Sequence, residues 1–223
     1  MRAPRFSAAT VAAAVCLSVP WATFAQVASS ATPPPAHRYV VSFGNMTVWN
    51  GVAHGKDMDY LSYTVLGPGG QKFVQAAGPI EVGKHDVYIW KIGSKPIAVP
   101  DDSGAMLSVS WAAVNSGHKK RDDVLKGLMN VSGDIGIHID DPIIQIPAAL
   151  IKAGAKLISQ NCDAPLFGGG LTLDGASLAG NLNGKDGWHS EGPARWHKVF
   201  DYPNIKSDCD TGHYNLEIHI QRL

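Results

Sequence analysis

The chain has 223 residues, of which 45% are hydrophobic and 17% charged, with 19 basic and 19 acidic side chains. A chain this apolar and this close to neutral can bury a core, which excludes intrinsic disorder. The balance of charge also argues against a nucleic-acid-binding protein, because such proteins concentrate a basic excess on one face or element. The composition is that of a folded globular protein.

The N-terminal segment has the order of a secretory signal peptide. Arg2 and Arg5 precede an apolar stretch over 8–19, and a short cleavage motif ends at Ala25. The apolar stretch is shorter than the roughly 18 residues that a membrane-spanning helix needs. We therefore expect cleavage after Ala25, no transmembrane segment in the mature chain, and a secreted or periplasmic location.

A tether and one disulfide-bonded domain are expected to follow. Residues 26–37 include three consecutive prolines and are predicted to be an extended tether, leading to a single domain over 38–223. After cleavage two cysteines remain, Cys162 and Cys209, and an exported protein is expected to pair them. On the chain-entropy model this bridge stabilises the fold by about 4 kcal/mol.

Alternating apolar residues predict short β-strands through the first half of this domain. The run over 39–49 changes phase near Gly44, which predicts a β-bulge at the glycine. The run over 60–66 ends at a Gly-Pro-Gly-Gly turn and resumes at 72–74, which indicates a hairpin. Further strands are predicted at 87–92, 106–111 and 214–220. Short strands joined by Gly, Pro and Asp turns are typical of an antiparallel β-sandwich.

The hydrophobic period changes after the strand at 106–111. Apolar residues recur three and four apart in two stripes, which predict amphipathic helices over about 121–139 and 142–160. Between the two stripes lies Asp140-Asp141-Pro142, where an aspartate can cap the second helix and the proline can occupy its first turn. The predicted fold class is therefore mainly β (α+β), an antiparallel β-sandwich with an inserted helical hairpin.

The segment between the two cysteines, 162–209, is rich in glycine and has no long apolar stripe. We expect a surface excursion that the disulfide closes, carrying flat side chains suited to stacking on a glycan or on another surface protein. The residues predicted to form this binding surface are Trp188, His189, Trp196, His197 and Tyr202. The alternative is that the two tryptophans fold back and cover the sheet.

Aspartates in two predicted loops suggest calcium as a cofactor. Asp57 and Asp59 enter one strand, and Asp101 and Asp102 lie in another inter-strand loop. If these loops share one end of the sandwich, four carboxylates converge on a hard cation that exported proteins often meet. The alternative is that the aspartates serve only as turn and cap residues.

No motif in the sequence predicts an enzyme. There is no G-x-S-x-G nucleophile turn and no HExxH zinc motif. Glu191 is the candidate for hydrolysis by paired carboxylates because it lies near Trp188 and Trp196, but the spacing identifies no second acid. The sequence favours an exported, non-enzymatic binding module. One alternative is a secreted hydrolase acting on a saccharide or similar polymer, and another is a structural surface protein with calcium-rigidified loops.

Overall fold

The computed structural model describes residues 35–53, 56–135 and 162–223. The chain divides into two units, Met1–Pro33 and Pro34–Leu223, and every described residue belongs to the second. The predicted signal peptide therefore lies outside the described residues, as does the tether up to residue 34. The last two residues of the predicted tether, at 36 and 37, instead begin the first strand.

The described strands form two antiparallel sheets, which confirms the predicted β-sandwich. The strands of the six-stranded sheet are β1 (Ala36–Asn50), β4 (Val87–Gly93), β5 (Ile97–Pro100), β8 (His189–Gly192), β9 (Arg195–Lys206) and β10 (Thr211–Arg222). The strands of the four-stranded sheet are β2 (Asp57–Leu66), β3 (Lys72–Val82), β6 (Met106–Asn115) and β7 (Ala164–Asp174). The first sheet has the order β4-β1-β10-β9-β8, with β5 also pairing with β1, and the second has the order β3-β2-β6-β7.

The core lies between the two sheets and follows the two-residue period of the strands. On β10 the buried residues are Tyr214, Leu216, Ile218 and Ile220. They belong to one hydrophobic cluster with side chains from the other sheet, among them Tyr63 and Trp111. Because successive side chains of a strand point to opposite faces, the alternate residues of β10 lie on the outer face of the six-stranded sheet.

The predicted bulge at Gly44 is present. Phe43 pairs with Ile218 of β10 and Met46 pairs with Leu216, so two residues of β1 lie opposite one residue of β10. This two-against-one count defines a β-bulge, which leaves one backbone group of the ladder unpaired and re-aims nearby side chains.

Two α-helices lie within the described ranges, α1 (Arg121–Ile135) and α2 (Gly175–Ala179). The first confirms the start of the predicted hairpin, whereas the second predicted helix, at 142–160, lies outside the described residues. The helix α1 covers the outer face of the four-stranded sheet, where Val124 and Leu128 pack with Tyr60 and Val114. Within the part of the chain that the structure describes, no helix has the length and apolar character needed to cross a membrane.

The prediction of a surface excursion over 162–209 is wrong, because this segment supplies β7, α2, β8 and β9. The sequence of β9 does not alternate regularly between apolar and polar residues. Lys198 occupies a position in the inward-facing series of Trp196, Phe200 and Tyr202, so the sequence pattern does not predict this strand. The disulfide between Cys162 and Cys209 is confirmed, with Cα atoms 5.2 Å apart.

The disulfide joins the start of β7 to the turn between β9 and β10, and so links the two sheets. We expect the paired substitution Cys162→Ser and Cys209→Ser to lower the free energy of unfolding by about 4 kcal/mol, because the unfolded chain gains loop entropy. Urea unfolding of both proteins measures the change. An unchanged midpoint in the non-reduced protein would contradict the expectation.

Candidate functional site

Three histidines form a cross-strand row on the outer face of the six-stranded sheet. His189 of β8 pairs with His197 of β9, which pairs in turn with His219 of β10. Neighbouring ring centroids lie 5.5 and 5.8 Å apart. Ser42 of β1 lies opposite His219 and continues the row. Strand pairing therefore brings together histidines from three different strands.

Two glutamates complete this arrangement, one on each side of the imidazole rings. Glu191 lies 3.0 Å from Nδ1 of His219 and 3.3 Å from Nδ1 of His197. Glu217 lies 3.4 Å from Nε2 of His219 and 3.9 Å from Nε2 of His197. One carboxylate thus faces the Nδ1 atoms of both rings, and the other faces the Nε2 atoms. We call these four residues the outer-face cluster.

Neighbouring groups hold both carboxylates in place. The guanidinium of Arg195 lies 2.7 Å from Glu191, an ion pair that counters the charge of this carboxylate. The backbone N–H of Asn45 donates to Glu217 at 3.2 Å. Asn45 is one of the two bulge residues, so the bulge supplies a donor that a regular ladder would have used.

The other bulge residue, Gly44, lets the cluster approach β1. A Cβ atom at this position would lie 2.3 Å from Nε2 of His219 and 2.9 Å from Oε2 of Glu217. Atoms cannot approach this closely, so any side chain here would displace both groups. His219 is only 7% exposed, which leaves it little room to move aside.

Three of the four cluster residues, Glu191, Glu217 and His219, line an open groove of about 530 Å³. Ile89 and Lys91 of β4 line one side of the groove, and Glu191 and Arg195 line the other. The remaining lining residues are Ser42, Phe43, Gly44, Asn45, Trp90, Ile92, Gly93, Glu217 and His219. One ligand atom each from Glu191, Glu217 and His219 can be chosen so that the three lie within 4.8 Å of one another.

The structure does not support two of the five predicted binding residues as exposed anchors. Trp188 and Trp196 are 2% and 3% exposed and belong to the core. Trp196 points inward because it alternates with the outward His197, and its Nε1 donates to Oδ1 of Asn181 at 2.9 Å. The two tryptophans therefore cover the sheet from within, which was the alternative for these rings.

The other three predicted binding residues lie in different surroundings. His189 is exposed on β8, and His197 is half-buried in the outer-face cluster. The hydroxyl of Tyr202 accepts a hydrogen bond from Nε1 of Trp111 at 2.8 Å, and its ring stacks on Phe167. Burial raises the pKa of Tyr202 above its usual value. This tyrosine packs between the sheets rather than at the cluster.

The four predicted calcium ligands do not converge. Asp59 pairs with Asn115 at the end of β6, whereas Asp101 and Asp102 precede the start of that strand. The β2–β6 ladder between these two ends has eight residue pairs, a length of about 23 Å at roughly 3.3 Å per residue. The two aspartate pairs therefore lie at opposite ends of the four-stranded sheet.

Asp101 and Asp102 have local structural partners instead. Oδ1 of Asp101 lies 2.7 Å from Nδ1 of His37. Oδ1 of Asp102 accepts the backbone N–H groups of Gly104 and Ala105, each at 2.8 Å. These contacts fit the alternative in which aspartates serve as turn residues.

Asp57 and Asp59 both lie in the interior, in contrasting environments. Asp57 accepts hydrogen bonds from the backbone of Val52 and Ala53 and from the hydroxyl of Tyr214. Asp59 is fully buried, and neither of its oxygens has a hydrogen-bond partner among the described residues. Burial, with a further contribution from the nearby charge of Asp57, raises the pKa of Asp59 well above its usual value.

Sequence reasoning did not identify Glu217, His219 or Lys91 as site residues. The alternation of β10 already places Glu217 and His219 on one polar face, and that was the available signal. The spacing of residues does not show which strand pairs with β10. Asn45 and Glu217, for example, are 172 residues apart in the chain.

No protein-family model matches the chain, and no curated protein matches it.

The buried carboxyl of Asp59 predicts a pH-dependent stability. Because its pKa is raised on folding, the native state keeps a proton that the unfolded state releases above about pH 4, so stability falls as pH rises. We expect the free energy of unfolding to decline from pH 4 to 8 relative to that of Asp59→Asn. Urea unfolding across this range measures it, with the exposed Asp186→Asn as control. A difference between wild type and Asp59→Asn that does not vary with pH would refute this reading.

Trp196 is predicted to be a structural residue. We expect Trp196→Ala to lower the free energy of unfolding by about 3–5 kcal/mol, the range for emptying a core site of this size. The neighbouring substitution His197→Ala changes the outer face and is expected to cost less than about 1.5 kcal/mol. Chemical denaturation measures the free energy of unfolding of both variants. Equal losses would argue against opposite orientations of the Trp196 and His197 side chains.

Proposed function

We propose that this chain is an exported metal-binding module whose outer-face cluster holds one divalent first-row transition ion, such as Zn²⁺. The ligands are Nε2 of His197, Nε2 of His219 and the carboxylate of Glu217. The observation that carries the proposal is the arrangement of the two rings, each with Nδ1 toward one carboxylate and Nε2 toward another.

The donor and acceptor atoms around His219 indicate that a cation lies between its Nε2 atom and Glu217. An ionised carboxylate only accepts, so Nδ1 must carry the proton in its 3.0 Å contact with Glu191. In a neutral imidazole the other nitrogen is then an acceptor, and it faces a second carboxylate, Glu217, at 3.4 Å. Two acceptors at this distance repel each other unless a cation lies between them. That cation is either a second proton on the ring or a metal ion.

A metal ion satisfies more of the cluster than a proton does. His197 lies between the same two carboxylates, with Nδ1 3.3 Å from Glu191 and Nε2 3.9 Å from Glu217, although its Nδ1 makes no hydrogen bond with any described residue. A proton on one ring relieves one contact, whereas a single ion bound to both Nε2 atoms and to Glu217 satisfies three acceptors. Ligands placed 2.0–2.1 Å from zinc at the tetrahedral angle are about 3.4 Å apart. This matches the 3.4 Å between Nε2 of His219 and Glu217, whereas Nε2 of His197, at 3.9 Å from Glu217, must move closer to bind the same ion.

Glu191 is assigned as a positioning residue. Metal-bound histidines commonly donate their other ring nitrogen to a carboxylate, which fixes the tautomer and the ring orientation. Glu191 faces Nδ1 of both His197 and His219 and is itself held by Arg195. The proposed ligands also indicate which ion the site holds. Two imidazole nitrogens suit zinc or another transition metal, while calcium prefers an all-oxygen site.

The geometry gives less support to a hydrolase with paired carboxylates. Glu217 is the second acid that the sequence did not identify. However, the carboxylate of Glu191 is already held by the guanidinium of Arg195 and by Nδ1 of His219, an arrangement that fits a positioning residue better than a general acid. The export part of the proposal is supported by the predicted signal peptide and by the disulfide bond.

Direct binding of Zn²⁺ tests the proposal. Calorimetric titration of the mature chain is expected to show one ion per chain. His219→Ala and Glu217→Gln remove ligands and should abolish this binding. His213→Ala, on the same strand, and Glu81→Gln, on β3, are matched controls that should leave it unchanged. Absence of stoichiometric binding, or equal losses in the controls, would rule the site out.

Variants of Gly44 and Glu191 test the residues that shape the site without binding the ion. Gly44→Ala places a Cβ against Nε2 of His219 and should weaken Zn²⁺ binding at least tenfold. Glu191→Gln replaces the carboxylate that accepts from Nδ1 of His219 with a neutral amide, and should weaken binding by about 10–100-fold, the usual range for such partners. Calorimetry measures both, and wild-type affinity in either variant would contradict the assigned role.

A further inference from the structure

We infer that the groove beside the outer-face cluster binds a small organic carboxylate, with one oxygen on the metal ion and the other on the ammonium group of Lys91. This inference rests on the proposed metal site and names the ligand class that the site would take.

The proposed ligand set leaves room for an exogenous ligand. Three protein ligands leave a zinc ion at least one position, which in catalytic sites water or substrate occupies. Gly44 lies against both His219 and Glu217 and also lines the groove, so the cluster and the groove share this wall. The groove volume of about 530 Å³ is within the range of small-molecule sites.

The charges around the groove favour an anion. Glu191 and Glu217 contribute two negative charges, and Arg195 and Lys91 contribute two positive charges. A divalent ion would leave the groove with a net positive charge. Arg195 is already paired with Glu191 at 2.7 Å, whereas Lys91 has no ion pair with any residue in the described ranges. Lys91 is therefore the cation available to a ligand.

The side chain of Ile89 indicates which kind of anion fits. Ile89 is 53% exposed and lines the groove on the same strand as Lys91, two residues away. Residues two apart on a strand share a face, so the charged and apolar contacts lie side by side. An anion with a short hydrocarbon chain uses both contacts, whereas inorganic phosphate uses only the first. The ligand class is therefore an aliphatic monocarboxylate.

Cobalt-substituted protein provides a spectroscopic test. The full mature chain is loaded with Co²⁺ and titrated with butyrate at constant ionic strength, and the visible absorption of the metal is followed. We expect a saturable spectral change. Lys91→Met should weaken butyrate binding at least fivefold without changing Co²⁺ affinity. Lys72→Met, on β3 of the other sheet, is the matched control and should behave as wild type.

The outcomes separate the two proposals. If Co²⁺ binds but butyrate leaves the spectrum unchanged, the ligand inference is overturned and the metal site stands. If butyrate binds equally well to the wild type and to Lys91→Met, the inference is also overturned, because the groove cation plays no part. If Co²⁺ itself does not bind, the proposed metal site fails and the ligand inference fails with it.

Discussion

The pairing of β1 with β10 is the constraint on which the proposed site depends. This pairing places Gly44 and Asn45 opposite the single residue Glu217. The bulge frees the backbone N–H of Asn45 for the Glu217 carboxylate, and the bare glycine leaves space for His219. A regular ladder at this point would remove the donor and add a side chain where the imidazole lies. The bulge thus connects the fold to the chemistry of its outer face.

Alternation along the strands places the core-forming residues on the inner face of the sheet and the residues of the proposed site on its outer face. On β9 the inward Trp196 is in the core, while the adjacent His197 faces the two glutamates. On β10 the side chain of Ile218 points inward and is fully buried. The residues before and after it in the sequence, Glu217 and His219, point outward. Apolar burial on the inner face contributes most of the folding free energy. The outer face can therefore hold a cluster of polar and charged groups without disrupting the core.

Local patterns predicted the elements but not their long-range partners. Alternation, turn residues and the phase change at Gly44 were sufficient for the β-sandwich and the bulge, and the cysteine count was sufficient for the disulfide. Lys198 interrupts the apolar period of β9, so the pattern does not predict a strand there and does not decide whether Trp196 faces solvent or the core. Asp59 and Asp101 were grouped because spacing does not show which strand ends coincide. The outer-face cluster depends on strand pairing between distant segments, which spacing does not reveal.

The metal coordination itself tests the central claim most directly. X-ray absorption at the zinc edge, on protein carrying one Zn²⁺ per chain, reports the ligands of the ion. We predict nitrogen and oxygen ligands at about 2.0–2.1 Å, with outer-shell scattering from two imidazole rings, those of His197 and His219. An all-oxygen shell, or scattering from one imidazole or none, would contradict the account.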